Sequence, residues 1–154
     1  FYKSLDDLPA FTDYAMEGRT YRYLHAEPLY PFGYGLSYTT FGYSELKVSD
    51  KTMKRGGTVT VSARVKNEGK VTATETAQLY VRDLVGSCVR PIKELKGYKK
   101  LTLTPGEEKT VFLPLGERSF AVWSCAKNRW VVEEGEYELC GDSDTAEFVT
   151  FALE

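Results

Sequence analysis

A strict period of two constrains this fold more than any other feature. Val59, Val61, Ala63 and Val65 alternate with Thr58, Thr60, Ser62, Arg64 and Lys66. Only an extended chain sends successive side chains to opposite faces, so this run predicts a half-buried strand. Arg55-Gly-Gly57 before it and Asn67-Glu-Gly69 after it are turn signals.

The same reasoning repeats along the chain. Thr72 to Asp83 reads as a second strand, with Leu79, Tyr80 and Val81 at its centre. Ile92 to Leu103 is a third region, where Gly97 marks a bulge or tight bend. Pro91 is read as the start of that strand. Thr104-Pro105-Gly106 has the proline and glycine of a tight turn, and Val111, Leu113 and Leu115 alternate after it. Phe120 to Ser124 and Arg129 to Val132 predict a hairpin around Ala126-Lys127-Asn128. Tyr137 and Leu139 belong to a further strand, and Phe148, Thr150 and Ala152 to the last. Trp130 and Tyr137 are expected as core or inter-sheet residues. Seven to nine short strands at spacings of about 10 residues, with no convincing helix, predict an all-β fold. The expected form is an antiparallel immunoglobulin/fibronectin type III-like β-sandwich. The cysteine–tryptophan–cysteine core of antibody domains is absent, which favours the fibronectin form.

Residues 1–40 lack this period. Tyr2, Phe11, Tyr14, Tyr21 and Tyr23 lead to Pro28-Leu-Tyr-Pro-Phe-Gly-Tyr-Gly-Leu-Ser-Tyr-Thr-Thr-Phe41, a run dense in aromatics and glycine. Aromatics need shaped neighbours, and glycine permits positive φ or close backbone approach. The segment is expected to be an extended arm packed against something, with the sandwich spanning 41–154. Asp6-Asp7-Leu8-Pro9 reads as a turn, because Pro9 holds Leu8 extended.

A length of 154 residues suits one domain with an appendage, and a net charge of −2 gives no electrostatic case for nucleic acid or membrane partners. Lys93, Lys96, Lys99 and Lys100 read as a solvated strand face. No apolar stretch has the length of a membrane span. No signal peptide opens the chain, and without an initiating Met it reads as a fragment, so its compartment stays open. Cys88, Cys125 and Cys140 contain no CxxC pair, which argues against zinc. Three free thiols, or one disulfide and one thiol, both remain readings.

Several segments resemble the C-terminal fibronectin type III-like domain of glycoside hydrolase family 3, the β-glucosidase and β-xylosidase family. The Pro28–Phe41 run is similar to the junction preceding that domain. Gly18-Arg-Thr-Tyr-Arg-Tyr23 looks like the GRTYRY segment of xylosidase-like members, and Phe1-Tyr-Lys-Ser4 resembles the end of the family's α/β domain. Ala77-Gln-Leu-Tyr-Val-Arg-Asp83, Arg90-Pro-Ile-Lys-Glu-Leu-Lys-Gly-Tyr98, Leu103-Thr-Pro-Gly-Glu107, Trp130-Val-Val-Glu-Glu-Gly-Glu-Tyr137 and Gly141-Asp-Ser143 follow in the family's order. The resemblance implies an accessory domain that docks on catalytic domains of a parent β-glycosidase. It places Arg19, Tyr21, Arg22, Tyr23, Tyr30, Phe32, Tyr34 and Tyr38 at the docking interface. A homo-oligomer through a sheet edge or loop is a further expectation.

Catalysis is not expected from this chain alone. Glycoside hydrolysis needs two carboxyl groups flanking the bond. The resemblance implies that both come from domains outside this sequence. Asp6-Asp7, Glu107-Glu108 and Glu133-Glu134 are read as solvated turn residues. Asp142 and Asp144 share a face but lack the further oxygens that calcium needs. His25 and Cys88 have no activating partner in the pattern, and no cofactor or metal is expected. The alternative is a carbohydrate-binding module with Tyr34, Tyr38, Trp123 or Trp130 as sugar platforms. A third reading, a generic adhesion domain, would leave the first 40 residues dispensable.

Overall fold

The alternation of Thr58–Asn67 becomes the central strand of a three-stranded sheet. The computed structural model describes residues 1–88, 90–141 and 148–153, with Tyr21 and residues 148–153 described as backbone. Ten strands are assigned: β1 Phe41–Val48, β2 Thr52–Met53, β3 Thr58–Asn67, β4 Ala73–Asp83, β5 Glu94–Leu103, β6 Glu108–Gly116, β7 Val122–Ser124, β8 Arg129–Val131, β9 Gly135–Cys140 and β10 Phe148–Leu153. One sheet has the order β1-β3-β6 and the other β2-β10-β9-β4-β5, while β7 and β8 form a separate hairpin. All pairings are antiparallel except the short one between β2 and β10. The result is the expected β-sandwich.

The inward faces follow the sequence period. Val59, Val61 and Val65 of β3 and Val111 and Leu115 of β6 are buried. They meet Ala77, Leu79 and Val81 of β4, Leu101 and Leu103 of β5, and Tyr137 and Leu139 of β9. Each fully buried aliphatic chain contributes about 1.5–3 kcal/mol against conformational entropy. Tyr137 is in the core as expected, with its ring edge-on to Phe120 at 5.1 Å.

Local chemistry ends the strands where the sequence placed turns. Gly106 has φ +76 and the Glu107 N–H donates to the Thr104 carbonyl at 3.0 Å, closing the Thr-Pro-Gly turn. Leu79 pairs with Gly97 but Tyr80 pairs with Leu95, so a bulge sits at Lys96–Gly97.

Four expectations are corrected. Phe120 belongs to a one-turn 3-10 helix, Glu117–Phe120, and the strand begins only at Val122. Its ring is needed in the core, so the chain tightens before the hairpin. Trp130 is not a core or inter-sheet residue; it is 50% exposed, because the β7–β8 hairpin stands outside both sheets. Pro91 lies in the loop before β5, three residues short of the strand. The first 40 residues are not uniformly extended: Leu5–Asp7 is a 3-10 turn and Thr20–Tyr23 a single α-helical turn. Ser4 caps the first by accepting from the Asp6 N–H, and Leu8 beyond it is extended, as Pro9 requires. Asp142, Ser143 and Asp144 lie outside the described residues.

Candidate functional site: the strapped arm

The arm folds back onto the sandwich and is fastened at two places. The first is a buried asparagine. Asn67, at the end of β3, points inward and is completely buried. Its Nδ2 donates to the carbonyls of Val71 at 2.8 Å and Leu103 at 3.0 Å. Its Oδ1 accepts from Thr39 Oγ1 at 2.7 Å and from the Gly69 N–H at 3.1 Å. One side chain therefore ties the arm's end to two sandwich loops. Burial of an amide is tolerable only when it is hydrogen-bonded, and here both ends are.

The second strap lies on the outer face of the five-stranded sheet. Tyr80 points away from the sandwich core, yet it is fully buried. Phe32 meets its ring edge-on at 6.1 Å, and Lys93 Nζ sits 5.3 Å from the ring centroid. Tyr80 Oη donates to Gln78 Oε1 at 2.6 Å, and Gln78 Nε2 donates to the Gly33 carbonyl at 3.2 Å. Gly33 has φ +89, and a Cβ there would collide with Tyr80 Oη. Glycine is the residue that fits both constraints. The Ile92 N–H donates to the Arg22 carbonyl at 3.3 Å, which adds a backbone tie nearby. Between arm and sheet lies a mainly apolar cavity of about 370 Å³, lined by Phe1, Tyr2, Leu24, Tyr30, Phe32 and Ile92 among others.

These straps redistribute the eight residues expected at a docking interface. Phe32 is turned onto the chain's own Tyr80. Arg19 is spent within the arm: Nε donates to the Ala15 carbonyl at 2.8 Å, and Nη2 donates to the Asp13 carbonyl. Arg22 lies 6.0 Å from the Tyr23 ring. Tyr30 and Tyr34 stack on each other, tilted, at 5.2 Å and stay half-exposed. Tyr38 is 97% exposed. The Tyr21 side chain lies outside the description. Sequence reasoning missed another set: Phe1, Leu5, Phe11, Tyr14 and Leu36 are each at least 84% exposed. Their spacing in an aperiodic segment carried no signal of which would be left uncovered.

Glu133 is not a free turn carboxylate. Arg90 Nε lies 3.1 Å from Asp83 Oδ2, and its Nη2 lies 3.4 Å from Glu133 Oε2. Arg90 Nη1 also donates to the Phe120 carbonyl at 3.2 Å. Ser87 donates to Glu133 from its hydroxyl and from its N–H. The Ser87 bonds first, and then Arg90, hold the Glu133 carboxyl below the usual range. The pair Asp83 and Glu133 thus grips one guanidinium. Glu107 is likewise committed. Lys109, then the Thr104 N–H and hydroxyl, lower its pKa to about 2. Cys88, Cys125 and Cys140 are all free thiols; Cys140 alone is buried, and burial pushes its pKa up. Among the described residues no group of three or more His, Cys, Asp or Glu side chains could hold a metal.

The alternative platform is also rearranged. Trp123 and Trp130 pair across the hairpin, edge-on at 5.6 Å. The Arg118 guanidinium carbon lies 3.3 Å from the Trp130 ring centroid, a close cation–π stack.

Comparison with known proteins agrees with this architecture. A fibronectin type III-like domain model matches residues 75–143. Thermostable β-glucosidase B of Acetivibrio thermocellus is 48% identical over 120 residues, which is 76% of this chain and 16% of that protein. Xylan 1,4-β-xylosidase of Xylanibacter ruminicola is 41% identical over 139 residues, 90% of this chain and 16% of that protein. The β-glucosidase structure from Erythrobacter marinus superposes with a TM-score of 0.77 at 36% identity, covering 86% of this chain and 18% of that one. The chain thus spans about a sixth of the length of the relatives it matches. By sequence and by fold, it belongs to the C-terminal fibronectin type III-like domains of glycoside hydrolase family 3.

Proposed function

We propose that this chain is the non-catalytic accessory domain of a β-glycosidase of the glucosidase or xylosidase type. Its arm, residues 1–40, docks on the preceding catalytic domains and fixes their position relative to the sandwich. One observation carries this reading: the arm is strapped to the sandwich at Asn67 and Tyr80, yet it leaves a row of large apolar side chains in water. Phe1, Leu5, Phe11, Tyr14, Leu36 and Tyr38 are each at least 84% exposed, and large apolar side chains gathered in one exposed segment suit an interaction face. Tyr30, Tyr34 and Tyr38 belong to that face, whereas Phe32 and Arg19 hold it in shape.

The chemistry of the chain supports a non-catalytic role. A glycosidase acid needs a raised carboxyl pKa beside a second carboxyl group. Carboxyl pairs brought together here grip arginines: Asp83 and Glu133 hold Arg90, Glu45 and Glu108 hold Arg64, and Glu133 is shifted the opposite way. Homo-oligomer formation through a sheet edge meets physical obstacles. β1 is bulged at Glu45, with φ +53, β6 contains Pro114, and β5 carries Lys96, Lys99 and Lys100. Self-association of the separate chain would use the arm instead.

The test is hydrolysis of p-nitrophenyl β-xyloside and β-glucoside by the chain alone and after mixing with separately made catalytic domains. No turnover alone, with a faster or more heat-stable reaction on mixing, is the expected result. Turnover by the chain alone overturns the reading.

A further inference from the structure

We infer that the cleft beside the β7–β8 hairpin binds a saccharide bearing a single carboxylate. This site is separate from the docking arm. It is an open cleft of about 500 Å³, lined by Arg55, Glu117, Arg118, Arg129 and Trp130 among others. The chain as a whole carries a net charge of −2, so a concentration of three guanidiniums here runs against the average.

The arginines are not all committed. Arg55 lies 3.6 Å from Glu134, and Glu117 Oε2 accepts from the Gly56 N–H at 2.7 Å. Arg118 and Arg129 have no ion pair with a carboxylate among the described residues. Arg118 is held flat by its stack on Trp130. A stacked guanidinium keeps its N–H edge free while losing rotamer freedom, and that edge matches a carboxylate in bidentate geometry. Three guanidiniums face the two carboxylates Glu117 and Glu134, leaving one net positive charge. That balance suits a singly charged carboxylate better than a doubly charged phosphate.

The aromatics supply the remainder. Trp130 lines the cleft half-exposed beside the Arg118 guanidinium, and Trp123, also half-exposed, meets it edge-on. The C–H faces of a sugar ring fit such surface. Arg118 already covers part of Trp130, so a neutral ring has less platform to stack on. Charge recognition by Arg118 and Arg129 therefore sets the preference.

The site contains its own reporter, because Trp123 and Trp130 are the chain's two tryptophans. The experiment titrates the whole chain with a glucuronic acid-capped xylo-oligosaccharide while tryptophan emission is followed. Parallel titrations use the carboxyl-reduced oligosaccharide and inorganic phosphate. The expected result is a saturating emission change with the acidic sugar and binding at least about tenfold weaker for the reduced one, since a hydrogen bond to a charged group is worth about 1.5–3 kcal/mol. Phosphate should leave the emission unchanged. Arg129→Gln, on the exposed hairpin, should weaken the acidic sugar by about tenfold or more with near-ultraviolet circular dichroism retained. Arg118→Gln should do the same and also change the tryptophan signal of the free chain. An equal response to the reduced sugar, a response to phosphate at the same concentration, an unaffected Arg129→Gln variant or no response at all overturns the inference.

Discussion

From Met53 to Leu139 the sandwich packs nine buried residues into one cluster, with a second cluster behind it around Val65 and Leu103. Across the first 40 residues no described side chain is buried, although this segment is the most aromatic of the chain. The sandwich is held by area removed from water, the arm by a few directional bonds and the contact of Phe32 with Tyr80. The difference teaches that the arm's aromatics are not a second core: none of their described side chains is buried, and they lie on the surface of the sandwich. Segments with few buried contacts open at low free energy, so arm and sandwich should respond separately to perturbation.

Asn67→Ala should break the comparison most forcefully, because Asn67 belongs to both regions. Leu103 and Val71 carbonyls, the Gly69 N–H and the Thr39 hydroxyl would each lose a partner. The expected cost is about 3 kcal/mol in urea unfolding. A loss below about 1 kcal/mol would show that the amide is dispensable to the sandwich.

Gly33→Ala should act on the arm alone. Positive φ costs an alanine about 1 kcal/mol or more, and its methyl group meets Tyr80 Oη. The Ile92 amide, bonded to the Arg22 carbonyl, should then exchange about tenfold faster or more, while amides of β3 and β6 keep their rates. Unchanged Ile92 exchange would mean that the arm is not held at Tyr80.

Acid should separate the regions more gently. Glu107 and Glu133 have carboxyl pKa values lowered in the folded chain from the ordinary 4.5. A lowered folded pKa gives stability that is fully present above the unfolded value and lost as pH falls toward the folded one. Melting temperature should therefore be flat from neutral pH to about 5 and fall between about 4.5 and 2, the window set by Glu107. Glu107→Gln should flatten part of that fall. An unaltered profile in this variant would remove Glu107 from the account. The arm contributes through Glu27, whose carboxyl is held low by the Lys3 ammonium. High salt should screen that exposed pair.

Much of the sandwich was legible in the sequence because its signals are local. The β3 alternation, the Thr104-Pro-Gly turn and the bulge at Gly97 each follow from a few adjacent residues. The parts that were not legible are long-range. Gln78 meets Gly33 across 45 positions and Asn67 meets Leu103 across 36. No periodicity records such pairings. Asn67 read as part of a turn signal; it is the last residue of β3, and its burial depends on where Leu103 arrives. Trp130 read as core or inter-sheet because tryptophan carries large apolar area. The hairpin that bears it pairs only with itself, and Arg118 and Trp123 cover it in place of a sheet. The docking residues were named from an aromatic-rich segment, and only the fold separates those that strap the arm from those left outward.

The most direct test of the central claim is calorimetric binding of this chain to the separately made preceding domains, alongside a version lacking residues 1–36. The shortened chain keeps Thr39 and its bond to Asn67, so its sandwich should melt as a cooperative unit. The expected result is measurable binding by the full chain and loss of binding by the shortened one. Equal binding by both would contradict the account, since the docking surface would then lie on the sandwich and not on the arm.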